Sequence, residues 1–154
     1  MRRLGAAALV LAGLAAGAPA RANDEVGCVD TKWNLTVDDK ICIQAFRDPK
    51  VDGVVCHVAR AQKGGMKGAL GLAEDTSDAS IACRQIGPIA LPDKLKDGEQ
   101  VFREGRSLLF KTLHVVRFYD RANNTLVYLS YSDKLVDGSP KNSISTVPIM
   151  PWGR

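Results

Sequence analysis

Residues 107–119 (SLLFKTLHVVRFY) and 125–132 (TLVYLSYS) are two runs rich in β-branched, aromatic and leucine side chains, set apart by the polar stretch 120–124 (DRANN). Such side chains suit a pleated surface, and the adjacent Asn123 and Asn124 tolerate the left-handed backbone that a tight reversal needs. The arrangement predicts a β-hairpin. Its second arm alternates Val127, Leu129 and Tyr131 against Leu126, Tyr128 and Ser130. Both faces are largely apolar, which predicts a strand inside a sheet rather than at its edge.

The same grammar runs upstream. Residues 40–46 (KICIQAF) and 54–61 (VVCHVARA) are short strand-like runs separated by Asp48-Pro49 and Asp52-Gly53, and they read as paired strands. Residues 81–86 resume a strand, Pro88 and Pro92 punctuate the chain, and Gly98 opens another turn. Between these, residues 63–78 (KGGMKGALGLAEDTSD) hold four glycines and then an acidic and hydroxyl cluster. They fit no strand or helix of ordinary length and read as a long loop, with one helical turn capped by Thr76, Ser77 or Asp78. The tail from Val136, with the spaced prolines of residues 147–152 (VPIMPW), reads as a loop and a docked extended segment, because proline has no N–H for a central ladder. The fold class is mainly β, an antiparallel sandwich or partly closed barrel with one or two short helices.

The N-terminus has a different character. Arg2 and Arg3 precede an uncharged apolar stretch over residues 4–18, and Ala20-Arg21-Ala22 supplies a small-residue exit. That order of charge, apolar core and A-x-A site predicts a cleavable secretory signal over residues 1–22. The stretch is shorter than the roughly 20 apolar residues a spanning helix needs, so no membrane span is expected after cleavage. Residues 23–154 would remain, 132 residues that suit one domain with its own core. Cleavage also removes Arg2, Arg3 and Arg21, taking Lys+Arg from 21 to 18 against 17 acids, so a formal charge of +4 becomes +1. The remaining bases are interleaved with acids, which argues against a nucleic-acid partner.

Export places the chain in an oxidising compartment, the periplasm of a bacterium, and there its four cysteines, Cys28, Cys42, Cys56 and Cys83, are expected to form disulfides. Four cysteines allow three pairings, and sequence alone does not select one. The sequential pairing, Cys28 with Cys42 and Cys56 with Cys83, is favoured because its loops are short enough to close locally. A zinc site from these cysteines with His57 and His114 would need C-x-x-C or H-x-x-x-H spacing, and neither occurs. No metal or cofactor is expected. Cys56 and His57 are strand neighbours that point to opposite faces, so they do not make a nucleophile and its base.

Catalytic signatures are lacking too: there is no G-x-S-x-G elbow, no H-E-x-x-H and no phosphate-binding glycine motif. A loop as long as residues 63–78 inside a compact domain usually serves a purpose. Lys67, Glu74, Asp75, Thr76, Ser77 and Asp78 are its candidate ligand- or partner-binding residues. Turn formation and helix capping are the plainer use of the acidic cluster, which lacks the rhythm of a calcium loop. Trp33, Trp152, Tyr119, Tyr128 and Tyr131 could line a groove, although strand aromatics more often pack in the core or across strands.

The stretches GLAEDTSDA (71–79), VVRFYD (115–120), YSDK (131–134), GSPKN (138–142) and VPIMPW (147–152), in this order behind a signal peptide, resemble the CreA family of small exported bacterial proteins. The resemblance covers nearly all of residues 23–154. It implies a Cys56–Cys83 bridge, with Cys28 and Cys42 as the additional pair. It brings no biochemical activity with it. The expectation is a non-enzymatic binding or accessory module that meets a periplasmic protein or an envelope component. The alternative is an envelope-acting enzyme whose carboxylates meet only in the fold.

Overall fold

The structure is a computed structural model and describes residues 24–31, 39–62, 78–105, 112–133 and 141–153. Eight strands follow along the chain: β1 (Asp24–Asp30), β2 (Lys40–Arg47), β3 (Val54–Gln62), β4 (Ala79–Gln85), β5 (Glu99–Gly105), β6 (Thr112–Asp120), β7 (Thr125–Ser132) and β8 (Asn142–Pro148). They form two four-stranded antiparallel sheets, ordered β1-β2-β3-β4 and β5-β6-β7-β8, so each laddered neighbour is also a neighbour in sequence. The fold is mainly β, as the strand patterning predicts. None of the described residues is helical, so the one or two short helices expected are not found among them. The capped turn expected at 76–78 lies outside the described residues except for Asp78.

The β6–β7 hairpin shows how side chains fix the register. Asp120 pairs with Thr125 and Leu113 with Ser132. Asp120 accepts hydrogen bonds from the backbone N–H of Asn123 at 3.2 Å and from its side-chain amide at 2.6 Å, and Asn124 takes a φ of 46°. The asparagine pair thus supplies both the donors to Asp120 across the turn, from Asn123, and the turn's left-handed residue, Asn124. β7 lies between β6 and β8. In β2–β3 the turn is built on Asp48, whose Oδ1 accepts from Lys50 N at 2.9 Å and Val51 N at 3.2 Å.

In the tail, the extended segment expected to dock does so as a strand: residues 142–148 ladder onto β7 as β8. The proline argument survives in a narrower form, since β8 is the outermost strand of its sheet and Pro148 is its last residue. β1 and β5 also lie where no strand was expected. Their runs, DEVGCVD and EQVFREG, are too polar to show alternation, and their ladders come from their neighbours.

Alternation in β3 puts Val54, Cys56, Val58 and Arg60 inside and leaves His57 exposed. The inner faces of both sheets meet in one core, with Phe46, Val54, Val58 and Ile81 facing Phe102, Val115, Leu126 and Tyr128. The Phe46 and Phe102 rings lie 4.5 Å apart across the two sheets. β1 stands outside this core: all seven of its residues are exposed. Its side-chain tether is the Cys28–Cys42 disulfide, between residues directly opposite in the ladder. The second disulfide joins Cys56 to Cys83, also directly opposed, and both of these residues are fully buried.

The sheets close along β4 and β8. Asp78 accepts from Lys141 Nζ at 2.7 Å, Cys83 N donates to Ser145 Oγ at 2.8 Å, and Gln85 Oε1 accepts from Met150 N at 2.9 Å. Partners rise together along both segments, so β4 and β8 run parallel. Side chains stitch this seam, and no backbone ladder joins the two strands. On the other side Gln44 and Arg60 both reach Glu104.

Candidate functional site

At one end of the β4–β8 seam the surface opens into a groove of about 540 Å3, lined by Arg84, Thr146, Pro148, Met150, Pro151 and Trp152 over a floor that includes Cys83 and Val147. That volume is in the range of small-ligand and peptide sites. Its wall after β8 is fixed by one side chain: the amide of Gln85 donates to Met150 O at 2.9 Å and to Gly87 O at 3.0 Å, and its oxygen accepts from Met150 N. Gln85 therefore does for the tail what a ladder partner would do. The result is that Met150 and Trp152 stand outward, 62% and 52% exposed. Large apolar side chains held on a firm backbone, next to an arginine, are the usual materials of a binding surface.

Arg84 is the charged residue of this lining. Its Nη1 donates to Cys83 O at 2.8 Å, and among the described residues it has no carboxylate partner. Among the described residues the lining offers no carboxylate and no histidine, and Cys83 is locked in its disulfide. Proton transfer by an ordinary side-chain acid or base has no agent there.

The fold does bring carboxylates together elsewhere. Arg117, on the inner face of β6, lies fully buried with Nη1 on both oxygens of Asp48 and Nη2 at 2.7 Å from Glu99 Oε2. Tyr128, its cross-strand neighbour, donates to Asp48 Oδ2 at 3.0 Å. Lys50 pairs with Glu99 at the outer end of the chain of charges. The Lys50 ammonium, and after it Arg117, holds the Glu99 carboxyl below its ordinary range. Burial, then the charge of Asp48, pushes the Tyr128 phenol up. With Glu99 held ionised and the oxygens of Asp48 taken by Arg117, Tyr128 and two backbone amides, the cluster ties the sheets together rather than offering a proton.

His114 is likewise engaged. Its Nδ1 lies 2.8 Å from Gln100 Oε1, its Nε2 lies 2.9 Å from Asp133 Oδ2, and its ring stacks on Tyr131 at 5.1 Å. Among the described residues, Glu25, Cys28 and Cys42 bring three possible metal ligands within 4.8 Å. The two sulfurs are joined to each other, however, and a disulfide presents no thiolate to a metal.

Of the loop residues singled out from sequence, Asp78 pairs with Lys141 at the far end of the seam. Lys67, Glu74, Asp75, Thr76 and Ser77 lie outside the described residues, as does Trp33. Among the aromatics, Tyr128 is core, Tyr119 donates to Asn124 Oδ1 at 2.8 Å, Tyr131 stacks on His114, and Trp152 lines the groove. Sequence reasoning missed Arg84, Met150 and Arg117. For Arg117 a signal existed: it follows Leu113 and Val115 at inward-facing positions, where a charge must have a buried partner.

Together these features define a disulfide-bonded β domain of two antiparallel sheets with an open apolar groove, and two disulfides are consistent with an exported protein. The family model described as CreA protein matches residues 26–152. The relatives called Protein CreA from Escherichia coli strain K12 and from an O157:H7 strain are each 58% identical over 134 residues, covering 84% of this chain and 85% of theirs. The chain belongs to the CreA family. No solved structure matches it. Among the described residues, no helix is long and apolar enough to cross a membrane.

Proposed function

We propose that this chain is a non-enzymatic binding or accessory module of the bacterial periplasm, exported by a cleaved signal over residues 1–22, with residues 23–154 as its one domain. Its binding surface is the groove at the β4–β8 seam. The observation that carries this reading is the outward presentation of Met150 and Trp152 beside Arg84, on a tail clamped by the Gln85 amide. Met150 and Trp152 line one groove together, and apolar side chains gathered in one exposed place are what mark an interaction site. Asp78, from the candidate loop, sits at the other end of the same seam, paired with Lys141.

A photoreactive amino acid placed at Thr146 or Trp152 in cells, with His57 on the outer face of β3 as control, tests the surface. Adducts are expected from the groove positions only, and are expected to vanish when Met150→Asp is added. Equal adducts from His57, or adducts indifferent to Met150→Asp, would remove the groove from consideration. The mass of the protein recovered from the periplasm is expected to correspond to a chain beginning at Asn23.

A further inference from the structure

We infer that the groove takes an extended peptide segment bearing a carboxylate side chain flanked by apolar residues. This rests on the groove reading above and names its ligand class.

The donor inventory is what selects a peptide. Of the polar lining side chains, Gln85 has its amide committed to Gly87 and Met150, which leaves the Thr146 hydroxyl and the Arg84 guanidinium to face a ligand. A sugar stacked on Trp152 would need a set of side-chain partners for its hydroxyls, and these two do not supply it. An anionic membrane surface is recognised by a cluster of four or more bases, and the groove has one. One guanidinium next to Met150, Pro151 and Trp152 matches a single carboxylate set among apolar side chains. Arginine's planar fork is suited to that acceptor, and the hydrogen bond to Cys83 O already orients it.

Shape agrees with charge. The lining residues come in strand order from β4 and β8, which run parallel, and continue into the tail as far as Trp152. From Thr146 to Trp152 an extended chain reaches roughly 20 Å, a length that accommodates about six residues of an extended ligand. Pro148 and Pro151 offer no N–H. The ligand's grip is therefore expected to come from its side chains.

Panning a random heptapeptide library on the disulfide-bonded protein, residues 23–154, tests the assignment. Enriched sequences are expected to carry an Asp or Glu beside apolar residues. A synthetic copy is expected to bind at least roughly tenfold more weakly when its acid becomes the amide, and equally so to the Arg84→Gln protein, whose melting temperature should match the parent. Acid-free sequences whose binding is lost in Trp152→Ala would overturn this inference and leave the groove as the binding surface. No enrichment, or enrichment unchanged in both Arg84→Gln and Trp152→Ala, would overturn both. Binding to phosphatidylglycerol vesicles in place of peptides would reassign the surface to lipid.

Discussion

The guanidinium of Arg117 spans both oxygens of Asp48, Nη1 at 2.6 and 2.7 Å, with neither side chain exposed to solvent. The pair joins the middle of one sheet to the turn that links two strands of the other. Taking Arg117 away strands the buried Asp48 carboxylate without a cation, and taking Asp48 away leaves the buried guanidinium with Glu99 alone, a partner at its partly exposed end. Arg117→Ala and Asp48→Ala are each expected to destabilise the domain by about 3–5 kcal/mol in urea unfolding. The double variant is expected to lose less than the two losses added, because the second change removes the stranded charge. Full additivity would show that the two groups do not depend on each other.

The two disulfides are expected to act on different scales. On a chain-entropy account, sequence separations of 14 and 27 residues make each worth about 3–4 kcal/mol. β1, however, has no buried residue, so it can leave the edge without opening the core. Replacing Cys28 by Ser and the buried Cys42 by Ala is expected to speed amide exchange across β1 and to change the global unfolding midpoint little. Replacing Cys56 and Cys83 by Ser also buries two hydroxyls and should lower global stability by at least ~3 kcal/mol. Equal global losses from both pairs would show that β1 is part of the cooperative unit.

Three carboxylates add to the sensitivity of the fold to acid. The Tyr119 N–H and then Arg121 lower the pKa of Asp97; Lys50 and then Arg117 lower that of Glu99; Asn123 lowers that of Asp120. A carboxylate depressed in the fold adds stability that is complete above its unfolded pKa, here ordinary values of 3.8, 4.5 and 3.8, and that is lost as pH falls through the folded value. Tyr128 works at the opposite end: its raised pKa keeps the phenol protonated in the fold, so its stabilisation is lost as pH rises past the ordinary value of 10.0. Urea midpoints are expected to be flat between about pH 5 and pH 9 and to fall on both sides. Tyr128→Phe should soften the alkaline fall.

Gly53 has a φ of 81°, and a Cβ there would lie 2.5 Å from Pro88 O and 2.9 Å from Gly87 O. Its own carbonyl accepts from Ile86 N at 2.8 Å, tying the β2–β3 turn to the end of β4. Gly53→Ala combines an unfavourable left-handed backbone with a collision against main chain, and is expected to cost at least ~2 kcal/mol. Thermal melts of the purified variant check this. Gly27→Ala, where nothing lies within 4 Å, is the control expected to change little.

The parts legible in the sequence were those where one local rule decides the outcome. The Asn123-Asn124 turn between two apolar arms gave β6 and β7, and Asp48-Pro49 with Asp52-Gly53 gave β2 and β3. β1 and β5 were not legible because their polarity hides the period, and they exist through the strands they pair with. β8 was hidden by the prolines of the tail, Pro140, Pro148 and Pro151, which rule out a central strand but permit an outer one. Trp152 was recognisable only as one of five aromatics able to line a groove, with nothing local to single it out from those that pack in the core or across strands. Arg84 and Met150 became part of a site only when β4 came to lie beside β8, and that seam is made by Ser145 and Gln85 side chains, which no periodicity reports.

Because all backbone pairing is between consecutive strands, each half of the domain is a self-contained meander, and both covalent bridges fall within the first. For a chain delivered amino end first, the leading four strands can pair and oxidise before Glu99 emerges. In an oxidising compartment the trailing four would then meet a template already locked by sulfur, and both cysteine pairs lie in the half that would be made first.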